Sequence, residues 1–149
     1  MITQFHSAGK LRKYAEDALK DYLTASGVSN VRFLYDSREQ TGDMVVVGAR
    51  QSREMDSNSY RLSRYLDIEV RVLTYIDPAA ADDEKRDSHF DQVQEVFQLL
   101  AQPGIETELT NRQMNIGFST LFITGDSAGF LNASYLTTIN IEALVNPKS

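Results

Sequence analysis

The sequence predicts an α+β domain: an antiparallel or mixed sheet of about five strands with two helices packed on it, in the order α-β-β-β-α-β-β. Three observations predict it. Two segments carry apolar residues at helical spacing, and one long segment alternates strictly between apolar and polar residues. The strand-like segments follow one another through short polar connections. They do not alternate regularly with helices, as a doubly wound fold requires. The 149 residues suit one domain with a core of its own.

Residues 7–25 form the first predicted helix. Leu11, Ala15, Ala18, Leu19 and Tyr22 recur on one face, Ser7 stands at the N-cap position, and Gly27 follows the last turn. Lys10, Arg12 and Lys13 lie in the first turns, where the helix dipole favours acids instead. They read either as a solvated basic face or as a contact for an acidic partner. Residues 31–35 and the apolar run 44–49 are strands, expected to pair as a hairpin across a connection containing Thr41, Gly42 and Asp43.

Tyr60, Leu62, Leu66, Ile68, Val70, Val72 and Ile76 share one parity, with Arg61, Ser63, Asp67, Glu69 and Arg71 on the other. Arg64 and Thr74 are the polar exceptions on the apolar side. As one strand this stretch would span roughly 55 Å at about 3.3 Å per residue, far beyond ordinary strand length. Its core portion is therefore expected at 66–76, and residues 50–64 are expected to form a projecting loop or arm. Residues 77–87 read as a linker. Ser88 is the expected cap of the second helix, with Phe90, Val93, Phe97 and Leu100 as its buried stripe and Pro103-Gly104 as its stop. Residues 110–124 form a strand with Met114, Ile116, Phe118 and Phe122 on one parity. Residues 125–129 read as a turn and 134–145 as the closing strand.

Composition narrows the function classes. The chain has no cysteine, so disulfides and thiolate metal sites are excluded, in keeping with a reducing compartment. No signal peptide and no membrane-spanning run is visible, which predicts a soluble cytoplasmic chain without a membrane partner. The formal net charge of −6 argues against free duplex DNA as a primary ligand, since such affinity rests on basic residues neutralising phosphates.

Catalytic motifs fail on context. Gly125-Asp126-Ser127-Ala128-Gly129 matches the G-x-S-x-G nucleophile elbow. A strand and not a helix follows it, and His6 and His89, the two histidines, both precede the serine. Neither histidine has partners at metal-ligand spacing, and Asp82-Asp83-Glu84 lacks the spaced oxygens of a calcium loop. The expectation is a chain that is not an enzyme and binds neither cofactor nor metal. The stretch 50–64 is the candidate interface. It interleaves Arg50, Arg53, Arg61 and Arg64 with Tyr60 and Tyr65, residue types enriched at interface hot spots. An ordinary loop followed by a solvent-facing strand remains the other reading.

The whole layout resembles the tail terminator and tail-completion (head–tail joining) proteins of tailed bacteriophages. The resemblance lies in three features: the leading amphipathic helix; Met44-Val45-Val46-Val47 followed by the long strand Leu66-Asp67-Ile68-Glu69-Val70-Arg71-Val72; and the helix from Phe90 to Leu100 before two closing strands that include Tyr135-Leu136-Thr137-Thr138-Ile139-Asn140-Ile141. It implies a virion subunit that assembles with itself into a ring, expected to be a hexamer. Such a ring caps the tail tube and meets neck or connector proteins, with DNA only passing through its lumen. It also implies assembly in the host cytoplasm. Another neck or baseplate adaptor is the alternative within that class. A small ligand-binding domain or enzyme with a site built from scattered residues is the rival from another class.

Overall fold

The computed structural model describes residues 8–34, 42–53, 64–75, 83–109, 114–129 and 134–147. The elements are α1 (Ala8–Ala25), β1 (Val31–Phe33), β2 (Met44–Arg53), β3 (Arg64–Tyr75), α2 (Asp83–Leu100), α3 (Ile105–Leu109), β4 (Met114–Gly129) and β5 (Ser134–Pro147). The strands form one mixed sheet in the order β1-β2-β3-β5-β4. The predicted fold class and element order hold, with the short α3 added after α2.

One face of the sheet carries the core. Val45 and Val47 of β2, Leu66, Ile68, Val70 and Val72 of β3, and Ile139, Ile141, Ala143 and Val145 of β5 are buried there. Against them pack Ala15, Leu19 and Leu23 of α1, Val93, Val96 and Leu100 of α2, and Ile105 and Leu109 of α3. The i, i+2 parity of the strands and the i, i+3/i+4 parity of the helices thus converge on one layer.

Helix α1 ends in a Schellman motif. Gly27 adopts φ +97°, its N–H donates to the Thr24 carbonyl, and the Val28 N–H donates to the Leu23 carbonyl. Left-handed backbone at this position is what glycine supplies without a Cβ penalty. Tyr22 ties α1 to the end of α2 by donating its hydroxyl to the Leu99 carbonyl at 2.6 Å, one of the carbonyls a helix end leaves without an internal partner.

Several sequence expectations are corrected. The first two strands do not form a hairpin: β1 runs parallel to β2, with Val31 opposite Val45 and Phe33 opposite Val47. Asn30 sets this arrangement. Its side-chain amide donates to the Asp43 carbonyl, and its own carbonyl accepts the Val45 N–H, so both strands start from the same end of the sheet. Helix α2 begins at Asp83, five residues before Ser88, which lies inside the helix and does not cap it. Its buried stripe is also rotated. His89, Val93, Val96 and Leu100 face inward, Phe97 is partly buried, and Phe90 is 43% exposed. Residues 125–129 are strand and not turn: they pair with 134–138 of β5. The parity expected for 114–122 breaks at a bulge between Phe118 and Thr120. That bulge moves Leu121 onto the core face beside Ile141 and sends Phe122 to the other face.

The sheet also extends into both ends of the expected arm. Arg50–Arg53 belong to β2, Arg64 and Tyr65 belong to β3, and Arg53 stands opposite Tyr65. A β2–β3 ladder running from Met44 opposite Leu73 to Arg53 opposite Tyr65 needs only matched antiparallel edges, which the alternation in the sequence already supplies from both sides. Residues 54–63 of the expected arm lie outside the described residues, as do Ser7 and His6.

Gly48 marks a close approach. A Cβ built on it would stand 2.8 Å from the Leu34 Cβ and 2.9 Å from the Leu34 Cδ2. Leu34 lies directly across this position of β2. Gly48→Ala is expected to destabilise the fold by about 1–3 kcal/mol through overpacking, read as a lower urea midpoint at unchanged m-value. An unshifted midpoint would show that Leu34 moves aside freely.

Candidate functional site

The ends of a sheet are where its hydrogen-bonding capacity remains open, and the two ends of this sheet differ. At one end β1 is three residues long. Phe33 lies under α1 there, and two lysines approach its ring, Lys20 Nζ at 4.6 Å and Lys13 Nζ at 5.5 Å from the centroid. Residues 8–34 hold five bases and three acids. Two of those acids are already engaged on α1 itself: Glu16 accepts from Arg12, and Asp17 pairs with Lys13 at 3.6 Å. This end is basic and aromatic.

At the other end β4 runs for sixteen residues. Phe122 and Ile123, on opposite faces, are 48% and 50% exposed. Long, exposed, apolar edge strands template association, and proteins ordinarily cover or charge them. Here the cover is partial. Helix α3 lies along the first part of β4, and the Glu106 carboxylate accepts the Phe118 N–H at 3.0 Å. Residues 101–129 hold three acids and one base, Arg112. This end is acidic and apolar.

Four of the residues singled out by sequence, Arg50, Arg53, Arg64 and Tyr65, lie at one end of the β2–β3 ladder. Arg50 is a side-chain-exposed residue of β2, 4.0 Å from Asp67 across the β2–β3 ladder. Arg53 is opposite Tyr65, and Arg64 and Tyr65 pair with Val145 and Leu144 of β5. Tyr60 and Arg61 lie outside the described residues. The elbow motif does not form: Ser127 sits in a straight antiparallel pair with Leu136 of β5, without the sharp strand-to-helix turn that exposes a nucleophile. Ser127→Ala is accordingly expected to leave stability within about 0.5 kcal/mol of the parent, read by thermal unfolding. A larger loss would assign Ser127 a structural bond of its own.

Sequence reasoning missed the most ordered polar feature. His89 is 1% exposed, and its Nδ1 lies 2.7 Å from the Thr74 hydroxyl and its Nε2 2.8 Å from the Thr137 hydroxyl. Both threonines are 2% exposed, on β3 and β5 respectively. A neutral imidazole donates from one nitrogen and accepts at the other, while a hydroxyl does either, so each ring nitrogen can be satisfied. The Tyr135 ring lies 5.6 Å away. The signal was present: Thr74 was the polar interruption on the apolar side of β3, and this histidine is its partner.

A groove of about 750 Å³ opens between α1 and α3. Tyr14, Tyr22, Asp17, Asp21 and Glu108 are among its lining residues, and among the described residues no base lines it. Among the described residues no group of three or more His, Cys, Asp or Glu side chains could hold a metal ion, and no helix is long and apolar enough to cross a membrane.

No family model and no curated protein matches the chain. Among solved structures it aligns with a chain from the virion of a native gene transfer agent particle, at 14% identity, covering 98% of this chain and 100% of that one, with a TM-score of 0.47. A second solved chain aligns at 14% identity over 97% of this chain and 98% of its own, with a TM-score of 0.50. At that identity the likeness concerns the fold.

Proposed function

We propose that this chain is a structural subunit of a phage-type virion, a tail-completion protein that forms a ring at the head-proximal end of the tail tube and meets the neck there. The observation that carries the reading is the sixteen-residue edge strand β4, which leaves Phe122 and Ile123 about half exposed. A free monomer gains nothing from such an edge, whereas an assembling subunit uses it. The α+β layout resembling the tail terminators supports the same reading, as does the acidic balance of −6, which suits a lumen through which DNA passes without adhering. The reading includes no catalysis: the chain works by contact alone. The arginine- and tyrosine-bearing stretch with Arg50, Arg53, Tyr60, Arg61, Arg64 and Tyr65 contributes to those contacts, with self or with tube and neck proteins.

Replacing residues 54–63 by a short glycine-containing turn tests the last point. The β2–β3 ladder is already in register at Arg53 and Tyr65, so the fold is expected to survive. Assembly, followed by light scattering on a size-exclusion column, is expected to weaken about tenfold or more. Equal assembly in the replacement would remove Tyr60 and Arg61 from the contact and leave Arg50, Arg53, Arg64 and Tyr65 as its remaining candidates. The groove between α1 and α3 favours a second reading, a domain that binds a cationic ligand beside Asp17, Asp21 and Glu108. A monomer at every concentration whose melting temperature rises with such a ligand would favour it over the ring.

A further inference from the structure

We infer that the two ends of the sheet are the two halves of one head-to-tail contact between copies of this chain, the basic β1/α1 end of one copy seating against the acidic β4/α3 end of the next. This deepens the ring reading and rests on it. The two ends differ in chemistry, so the contact they make is heterologous, the kind that closes into a ring by rotation.

Charge complementarity chooses the partner. Lys13 and Lys20 stand over Phe33 at the first end. Glu106 and Glu108 stand on α3 beside β4 at the other, with Ile123 exposed on the same face of the strand. Lys13 is already paired with Asp17, at 3.6 Å with side chains 60% and 42% exposed. An exposed pair of this kind contributes little, so it does not withhold the lysine from a better partner. A ring needs no second kind of subunit to satisfy this arrangement, because every copy offers one end of each sign. Opposed potentials fix orientation and exclude the like-with-like pairing that a symmetric dimer would need. The apolar centre comes from Ile123, exposed on the same face of the sheet as α3, meeting the Phe33 end, an apolar centre within a charged rim being the usual anatomy of a specific interface.

Two charge-reversed proteins test the contact. One carries Lys13→Glu and Lys20→Glu, so that both its ends are acidic. The other carries Glu106→Lys and Glu108→Lys, so that both are basic. Each alone is expected to assemble at least tenfold more weakly than the parent by light scattering. An equimolar mixture is expected to recover assembly, since every junction in an alternating ring is again between opposite charges. Because Glu106 also holds the Phe118 N–H, Glu108→Lys combined with Ile123→Ser serves as a second acidic-end variant, with circular dichroism confirming the fold. This one is expected to weaken assembly on its own. Assembly that ignores all these changes, or a mixture that stays as weak as its components, overturns the contact and leaves the ring reading standing. A parent protein that is monomeric throughout overturns both.

Discussion

His89→Leu is expected to lower the stability of the domain by about 2–4 kcal/mol, the cost of leaving two buried hydroxyls without the group that served both of them. At about 2–4 °C per kcal/mol for a chain of this size, the melting temperature falls by roughly 10 °C. Leucine fills a comparable volume, so the loss is polar and not a cavity effect. The geometry makes the effect large. One ring reaches Thr74 on β3 and Thr137 on β5 at 2.7 and 2.8 Å, so it fastens α2 across two central strands at once. Thr74 keeps a longer bond to Gln92 at 3.4 Å, and adding Thr74→Val and Thr137→Val to His89→Leu removes both hydroxyls the ring served, which is expected to recover most of the loss. Differential scanning calorimetry on the single and triple variants decides it. A single variant as stable as the parent would mean that the hydroxyls find other partners at no cost.

Leu19→Ala is expected to cost about 3–5 kcal/mol, the upper range for truncating a leucine in a close-packed core. Leu19 is fully buried between α1 and the sheet, alongside Ala15 and Leu23. The small size of Ala15 leaves Leu19 and Leu23 to hold most of the α1 interface. Since α1 also carries Lys13 and Lys20, its loosening reaches the basic end of the sheet, and assembly is expected to weaken with stability. The unfolding midpoint in urea reports the first effect and light scattering the second. A loss below about 1 kcal/mol would place α1 outside the cooperative core.

The α+β class and the strand-rich order were legible because β3 alternates cleanly and α1 carries a single apolar stripe. The direction of β1 relative to β2 was not. Whether β1 meets β2 parallel or antiparallel depends on Asn30 bonding across to Asp43 and Val45, a long-range contact that no local pattern encodes. The rotation of α2 escaped for a different reason. Hydrophobicity places Phe90 inside and His89 outside, and the two threonines reverse that by giving the histidine buried partners. Strand β4 was misread at its bulges, which shift parity after Phe118 and again after Ile123 and so hide a sixteen-residue strand behind a turn-like Gly-Asp-Ser composition. The candidate contact followed the same division. The arginines of 50–64 are visible as letters, whereas the opposite charges of the two sheet ends emerge only when the strand order is known.

The central claim is that the chain assembles with itself into a closed ring. Analytical ultracentrifugation of the purified protein from about 1 to 100 µM, a range spanning affinities of roughly 6–8 kcal/mol, tests it most directly. A closed ring gives a concentration-dependent shift from monomer to one discrete species, without a ladder of longer polymers. A single monomeric boundary across the whole range would contradict it.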